Sequence, residues 1–164
     1  MSAPLLRGLP PVVDDHASVL ILGSFPSARS LSAGQYYANP RNAFWPIVGE
    51  LFGIDANAAY DSRLAALRSH GIALWDVLRA CHRVGSADSA IDPKTVVAND
   101  FSEFFADHPA IARVYFNGAK AADLYRRLAR PVEGVHYQRL PSTSPAHAVR
   151  PGAKLAVWRV ISAR

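Results

Sequence analysis

Thiol and metal-ligand chemistry are almost absent from this chain. Cys81 is its single cysteine, so an internal disulfide is excluded, and no thiolate cluster exists for zinc or an iron–sulfur centre. The six histidines are scattered without the spacing of metal ligands. We therefore expect no metal and no cofactor.

Long apolar runs are also missing. No window approaches the roughly 20 consecutive apolar residues of a membrane span, and residues 1–16 have three prolines and no apolar run of signal-peptide length. We therefore expect a cytoplasmic protein without a membrane partner. Half of the 164 residues are hydrophobic and 19% are charged, which predicts one folded domain over residues 1–164. We expect it to be a monomer.

Acidic residues are in the minority, 13 against 18 basic residues, and the formal net charge is +5. The basic excess lies in the last forty residues, in Arg126, Arg127, Arg130, Arg139, Arg150, Lys154, Arg159 and Arg164. This balance favours a polyanionic partner such as nucleic acid, with an ordinary solvated basic face as the equal alternative.

Short apolar runs alternate with helical patterns along the chain. The runs predict strands at residues 17–23, 72–78, 113–117 and 137–140. The intervening patterns predict helices from residue 39 or 40 to residue 52, then at 61–70, 100–107 with Asn99 as its cap, and 119–129. A last helix places Leu155, Trp158 and Ile161 on one face. This alternation indicates an α/β fold with a mostly parallel four-stranded sheet, whose strand ends would share one edge.

Two connecting segments are unusual. Residues 23–45, GSFPSARSLSAGQYYANPRNAFW, join a strand to a helix and mix aromatic and amide side chains with small residues that let a ligand approach the backbone. Residues 79–94 are polar, irregular and too long for a plain connector. The first segment would suit a planar, hydrogen-bonding ligand, and the second is a candidate functional loop.

Four predicted strand ends carry GSFPS, Trp75-Asp76, Asn117-Gly118 and PSTSP. In this order, GSFPS, YYANPRNAFW, NGAKA and LPSTSPAHA resemble the uracil-DNA glycosylase superfamily, most closely its hypoxanthine (deoxyinosine) DNA glycosylase branch. The resemblance covers nearly the whole chain. It implies a three-layer fold with helices flanking the sheet, and an enzyme that everts a deaminated base from DNA during base excision repair.

The catalytic residues that the resemblance implies are Asn42, Asn117 and Ser142. Most of the superfamily has an Asp or Asn where this chain has Phe25, and a ring cannot orient water. In the deoxyinosine branch this duty passes to an asparagine that maps onto Asn42, for which a backbone-capping role is the alternative. Asn117 would read and stabilise the departing base, unless it forms an Asn-Gly turn. Ser142 lies near the position of a residue that assists base departure, and serine is a weak donor for that purpose.

Base binding is assigned to five residues. Tyr37 aligns with the aromatic residue on which the everted base stacks, and Phe25 would line the opposite side. Asp76 would accept a hydrogen bond from the base edge or cap the following segment, Ser24 lies at the same edge, and Asn39 is expected mainly as a helix cap. Three further aromatic residues are expected in the core, namely Tyr36, Phe44 and Trp45.

DNA contacts are assigned mostly to the segment after the fourth strand. Its hydroxyls would bond phosphate oxygens, its small residues would fill the space that the base leaves, and its basic residues would hold the backbone. The expected DNA-binding residues are Ser27, Thr143, Ser144, Ala146, His147, Arg150 and Lys154.

These features predict a monofunctional glycosylase acting on hypoxanthine in DNA, with no Schiff-base lyase step because none of the catalytic positions that the resemblance implies is a lysine. A uracil or mismatch-uracil glycosylase and a non-catalytic nucleotide or damaged-DNA binding module are the alternatives. A thiol nucleophile at Cys81 and a triad of Ser24, Ser142 and His147 are disfavoured, the latter because the chain lacks the G-x-S-x-G elbow.

Overall fold

A four-stranded parallel sheet forms the centre of the molecule in this computed structural model, which describes residues 4–147 and 149–163. Its strand order is β3 (Ile72–Asp76), β2 (Val19–Gly23), β6 (Arg113–Asn117) and β7 (His136–Leu140). Every neighbouring pair is parallel, so the carboxyl ends of all four strands share one edge. Every residue of β2 is buried, as expected for a strand covered on both faces.

Alternate residues of the strands enter two separate hydrophobic cores, one on each face of the sheet. Leu20, Leu22 and Val114 pack in the core that contains helices α4 (Phe101–Asp107) and α5 (Ala119–Leu128). Residues of opposite parity, such as Ile21, pack in the core formed with α2 (Phe44–Phe52), α3 (Tyr60–Ser69) and α6 (Pro151–Trp158). The predicted three-layer α/β fold with a four-stranded parallel sheet is therefore confirmed.

A second, antiparallel sheet was not expected from the sequence. It contains β1 (Leu5–Arg7), β4 (Leu78–His82) and β5 (Val97–Ala98), in the order β1-β4-β5. The single strand predicted at 72–78 is wrong in this respect, because the chain leaves the central sheet after Asp76 and continues as β4 in the small sheet.

Helix boundaries correct three further predictions. Residues 39–43 are not helical, and α2 begins at Phe44, with Pro46 in its first turn, where no amide donor is required. Helix α1 (Ala28–Ala33) occupies part of the segment that was expected to be a loop. The cap of α4 is Asp100, whose side chain accepts from the Glu103 N–H, and not Asn99, whose amide donates to the Asp76 carbonyl at 2.8 Å.

Other predictions are confirmed. Helix α2 ends at Phe52, as predicted, and its C-cap Gly53 has the left-handed backbone (φ 69°) that glycine adopts without strain. Tyr36, Phe44 and Trp45 are buried in the core, as are Trp158 and Ile161. Within residues 4–147 and 149–163, no helix combines the length and apolar character required to cross a membrane.

Candidate active site

One cavity of about 610 Å³ opens at the carboxyl edge of the parallel sheet. Its walls come from the connector after β2, the end of β3, the segment 86–89, the β6–α5 junction and the segment 142–147. The structure brings together thirteen predicted residues on these walls, namely Ser24, Phe25, Ser27, Tyr37, Asn39, Asn42, Asp76, Asn117, Ser142, Thr143, Ser144, Ala146 and His147.

Arg150 and Lys154 do not line this cavity. Arg150 is exposed at the N-cap of α6, so a contact with the DNA backbone stays a prediction. Lys154 is only 4% exposed, and its Nζ donates to the Ser144 carbonyl at 3.2 Å, while burial lowers the pKa of its ammonium group. The prediction that Lys154 holds the DNA backbone is wrong, because this ammonium group stabilises the segment 142–147 from inside the protein.

Asn42 lies on the cavity wall, and its side chain also completes the start of α2. Its Oδ1 accepts from the Phe44 N–H at 2.9 Å. This is the backbone-capping role named as the alternative to water positioning, and it occupies one lone pair of the amide oxygen. Asn39 behaves similarly, accepting from the Arg41 N–H at 3.0 Å, and it does not cap a helix beginning at residue 40.

Asn117 joins three parts of the site. Its Nδ2 donates to the Tyr37 hydroxyl at 3.1 Å and to Thr143 Oγ1 at 2.9 Å, and its Oδ1 accepts from the Thr143 N–H at 2.9 Å. Both amide protons are therefore used inside the protein, which contradicts the prediction that Asn117 donates to the base. Its partners also differ from those of a simple Asn-Gly turn, because they lie in the segments at residues 37 and 143.

The segment 142–147 is held closely against the sheet edge. Thr143 is buried, and its carbonyl accepts from the Ala43 N–H at 3.0 Å, next to the start of α2. Ser142 Oγ accepts from the Ser144 N–H at 3.1 Å. Gly118 (φ 99°) permits this approach, because a Cβ there would lie 3.0 Å from the Ser142 Cβ. Trp158 adds a hydrogen bond from its indole N–H to the Pro141 carbonyl at 2.8 Å.

Tyr37 has a left-handed backbone (φ 55°), which is uncommon for a residue other than glycine. Its ring stacks on Phe44, with centroids 4.0 Å apart and planes at 22°, so one ring face is covered by the core. Burial, followed by the nearby charge of Asp76, raises the pKa of Tyr37 and keeps its hydroxyl neutral. Tyr37 is partly exposed and lines the cavity, and its stacking role stays a prediction.

Asp76 ends β3 on the cavity wall and is only 5% exposed. Its Oδ2 is buried and has no hydrogen-bond partner among the residues that the structure describes. Burial and the neighbouring Asp88 raise the pKa of the Asp76 carboxyl to about 7, against a smaller opposing effect of Arg83. The absence of a side chain at Gly23 leaves room for this carboxyl group, since a Cβ added to Gly23 would overlap Asp76 Oδ1.

The segment that we name the 83–90 loop forms a wall whose residues the sequence did not single out. Its Ser86, Ala87, Asp88 and Ser89 line the cavity, within the polar stretch 79–94 that was predicted to be a functional loop. Lys120, in the first turn of α5, also lines it and was not assigned a role. The surplus length of residues 79–94 was the available signal, although length does not reveal which side chains face a ligand.

The 83–90 loop is fixed to the connector after β2. Arg83 is 3% exposed, its Nη2 donates to the Pro26 carbonyl at 2.7 Å, and its Nε donates to the Gly85 carbonyl at 2.7 Å. Its guanidinium carbon also lies 5.2 Å from the ring centroid of Phe25. Ser24 Oγ donates to Asp88 Oδ1 at 2.6 Å. These contacts make the loop a fixed wall of the cavity.

The comparisons with known proteins agree with this architecture. Residues 10–161 match the family model described as "Uracil DNA glycosylase superfamily". A hypoxanthine DNA glycosylase of Methanosarcina acetivorans is 42% identical over 142 residues, covering 86% of this chain and 87% of the relative. A hypoxanthine DNA glycosylase of Methanosarcina barkeri is 39% identical over 118 residues, covering 71% and 73%.

A solved structure is also similar. The solution NMR structure of a Methanosarcina acetivorans protein, proposed to be a uracil DNA glycosylase, has a TM-score of 0.78 and 36% sequence identity, and the match covers 98% of this chain and 100% of that one. The family match spans all four strands of the central sheet and every segment of the cavity wall. This chain therefore belongs to the uracil DNA glycosylase superfamily.

Proposed function

We propose that this protein is a monofunctional DNA glycosylase that hydrolyses the bond between hypoxanthine and deoxyribose in DNA and leaves an abasic site. The observation that carries the proposal is that polar groups from all four strand ends meet in one cavity beside an aromatic residue. Its volume lies within the roughly 300–1,000 Å³ typical of small-molecule sites. The two relatives named hypoxanthine DNA glycosylases support the choice of base.

The chemistry requires a positioned water and groups that stabilise the departing base. Cleavage of an N-glycosidic bond passes through an oxocarbenium-like sugar, while negative charge accumulates on the base. Asn42 has a free lone pair on Oδ1 and its Nδ2 group with which to orient a water. Asp76 and the ring of Tyr37, which both line the cavity, would contact the base.

Access to the base requires that it leave the duplex. Eversion costs a few kcal/mol and is easiest for a weakly paired base such as hypoxanthine opposite thymine or cytosine. Hydroxyls of the segment 142–147 would bind phosphate oxygens beside the everted nucleotide, and Arg150 would add a charge contact. Damaged sites would in this way be selected partly by their weaker pairing.

The test is a strand-cleavage assay on matched duplexes containing inosine, uracil or neither, with alkali treatment to break abasic sites. Release of hypoxanthine and an alkali-labile site are expected with inosine. Preferred cleavage at uracil would instead establish the uracil glycosylase alternative. Binding of inosine-containing DNA without product under single-turnover conditions would establish the binding-module alternative.

The presence of Lys120 on the cavity wall makes the lyase step worth testing directly. Borohydride traps a Schiff base between a lysine and the abasic sugar as a covalent adduct. A monofunctional enzyme yields no such adduct with inosine-containing DNA, and strand breakage appears only after alkali. A trapped adduct that disappears in Lys120→Met would overturn the monofunctional assignment.

A further inference from the structure

The described groups of the cavity wall differ in their capacity to exchange protons. Both amide protons of Asn117 are used within the protein. Asn42 is a carboxamide, which can orient water and cannot accept a proton from it. The raised pKa of Tyr37 keeps its hydroxyl neutral. The carboxyl groups of Asp76 and Asp88 are the acidic side chains on this wall, and no function has yet been assigned to Asp88.

The two carboxyl groups stand in different environments. Asp76 is buried at the end of a central strand, with Oδ2 lacking a partner among the described residues. Asp88 is exposed on the 3₁₀ turn Asp88–Ala90. A buried, unpartnered carboxyl group favours its protonated form, whereas an exposed carboxyl group keeps its contact with water. Two carboxyl groups in one site with opposed environments are suited to acid and base roles.

The position of Asp88 is fixed as a catalytic base requires. Ser24 Oγ donates to its Oδ1 at 2.6 Å, so its Oδ2 is left for another donor. Ser86 Oγ accepts from the Ala28 N–H at 2.9 Å, and Arg83 connects the same loop to Pro26. The loop therefore holds Asp88 beside the connector in which the neighbouring side chain, Phe25, offers only an aromatic ring.

We propose that Asp76 and Asp88 act as an acid–base pair, in which Asp76 protonates the departing purine and Asp88 accepts a proton from the attacking water. The burial of the two residues sets this assignment. Because Asp76 is buried and Asp88 is exposed, we place the everted base beside Asp76 and its sugar beside Asp88. This inference rests on the proposed glycosylase function.

The atoms balance over one turnover. The Asp76 proton moves to the purine N7, the bond between C1′ and N9 breaks, and its electron pair stays with the base, which leaves neutral. The oxygen of water bonds to C1′, and Asp88 takes the proton that this water releases. Solvent then returns a proton to Asp76 and removes one from Asp88, so that one water is consumed.

Other ionisable groups lie around Asp76. Four interact electrostatically with it, namely Tyr36 and Tyr37 from the connector and Arg83 and Asp88 from the 83–90 loop. Two more stand elsewhere on the cavity wall, namely Lys120 and His147. The negative charge of Asp88 raises the pKa of Asp76, and the positive charge of Arg83 lowers it. Removal of Asp88 should therefore lower the pKa of Asp76, and removal of Arg83 should raise it.

The experiment measures single-turnover excision of hypoxanthine from about pH 5 to about pH 9 for the wild type, Asp76→Asn, Asp88→Asn and the control Asp92→Asn. Asp92 lies just beyond the 83–90 loop, outside the cavity wall, and its Oδ1 accepts from the Lys94 N–H, a bond that Asn retains. We expect the wild-type rate to fall as the pH rises through about 7, because Asp76 then loses its proton. Each cavity variant should lose about 10²-fold or more, while affinity for inosine-containing DNA changes little.

The pH profiles separate the two roles. Asp76→Asn should lose the alkaline decline and show a low, flat rate, whereas Asp88→Asn should keep the decline and move it to lower pH. Rates of either variant equal to that of Asp92→Asn would overturn the role of that residue. Should Asp88→Asn fail to fold, Ser24→Ala replaces it, because loss of the anchoring hydroxyl should lower the rate without removing the alkaline decline. Inactivity of the wild type would refute the proposed function itself, a result distinct from these.

Discussion

The segment 142–147 and the 83–90 loop line the same cavity and differ in how they are held in place. The segment 142–147 is held by groups whose hydrogen bonds are satisfied, with Asn117 contributing both amide protons and its oxygen and Lys154 donating to the Ser144 carbonyl. The 83–90 loop is held by Arg83, whose Nη1 is buried without a described partner, and it lies near Asp76, whose Oδ2 is in the same condition. Satisfied amides give a rigid support, whereas a buried carboxyl group without a described partner, such as that of Asp76, is available for proton transfer.

Among the variants that test this comparison, Asn117→Ala should lower stability and excision the most. The change leaves the Thr143 N–H, the Thr143 hydroxyl and the Tyr37 hydroxyl without their partner. We expect a loss of about 3 kcal/mol in the free energy of unfolding, measured by urea denaturation. Excision should fall by about 10²-fold or more through displacement of the segment 142–147. Asn117→Asp retains the acceptor for the Thr143 N–H and should lose less stability; equal losses would contradict this account.

Arg83→Gln tests the other wall. The Pro26 and Gly85 carbonyls lose a charged donor, so the free energy of unfolding should fall by about 2 kcal/mol. Since Arg83 lowers the pKa of Asp76, its removal should move the alkaline decline of excision to higher pH, opposite to the effect of Asp88→Asn. Single-turnover rates across the pH range measure this shift, and a shift in the same direction for both variants would exclude the charge coupling.

Asp76→Asn should stabilise the protein at alkaline pH. The folded state keeps the Asp76 proton up to about pH 7, whereas an unfolded chain releases it near 3.8, so the wild type loses stability as the pH rises between these values. The amide has no charge to bury. We expect the variant to gain about 1 to 2 kcal/mol relative to wild type at pH 8 and little below pH 4, measured by thermal unfolding. A gain independent of pH would show that charge burial is not the cause.

The two basic residues that follow the segment 142–147 should give the smallest effects. Lys154→Met loses one hydrogen bond and one buried charge, so stability should change by less than about 1 kcal/mol and the salt dependence of DNA binding should stay constant. Arg150→Ala should reduce the salt dependence by about one phosphate contact. Fluorescence titrations at several salt concentrations provide the comparison, and identical salt slopes for wild type and Arg150→Ala would remove Arg150 from the interface.

The sheet and much of the site could be predicted from the sequence because they depend on local patterns. Buried parallel strands appear as apolar runs, and the segments at their carboxyl ends must share one edge. The order of the motifs predicted that Asn42, Asn117 and Ser142 lie at one site, and all three line the cavity in the structure. The start of α2 was predicted too early because Asn followed by Pro is typical of a helix start. In the structure Asn39 instead forms an Asx turn, in which its side chain accepts from the Arg41 N–H.

The partners of each polar side chain could not be predicted, because they depend on contacts between distant residues. Nothing local indicates that Asn117 uses its amide on residue 143, or that Lys154 is buried against Ser144. The side chains by which the 83–90 loop lines the cavity were not predicted for the same reason. Its anchors, Arg83 to Pro26 and Ser24 to Asp88, join positions 57 and 64 residues apart.

The small antiparallel sheet gives the cavity a wall that can vary independently of the parallel sheet. Residues 83 and 91 form an isolated bridge at the base of the 83–90 loop, which continues from β4 rather than from a strand of the central sheet. Insertions or deletions near Gly85 would therefore widen or narrow the cavity without disturbing the register of the four parallel strands. Evolution could in this way adjust which bases fit while the supporting framework stays the same.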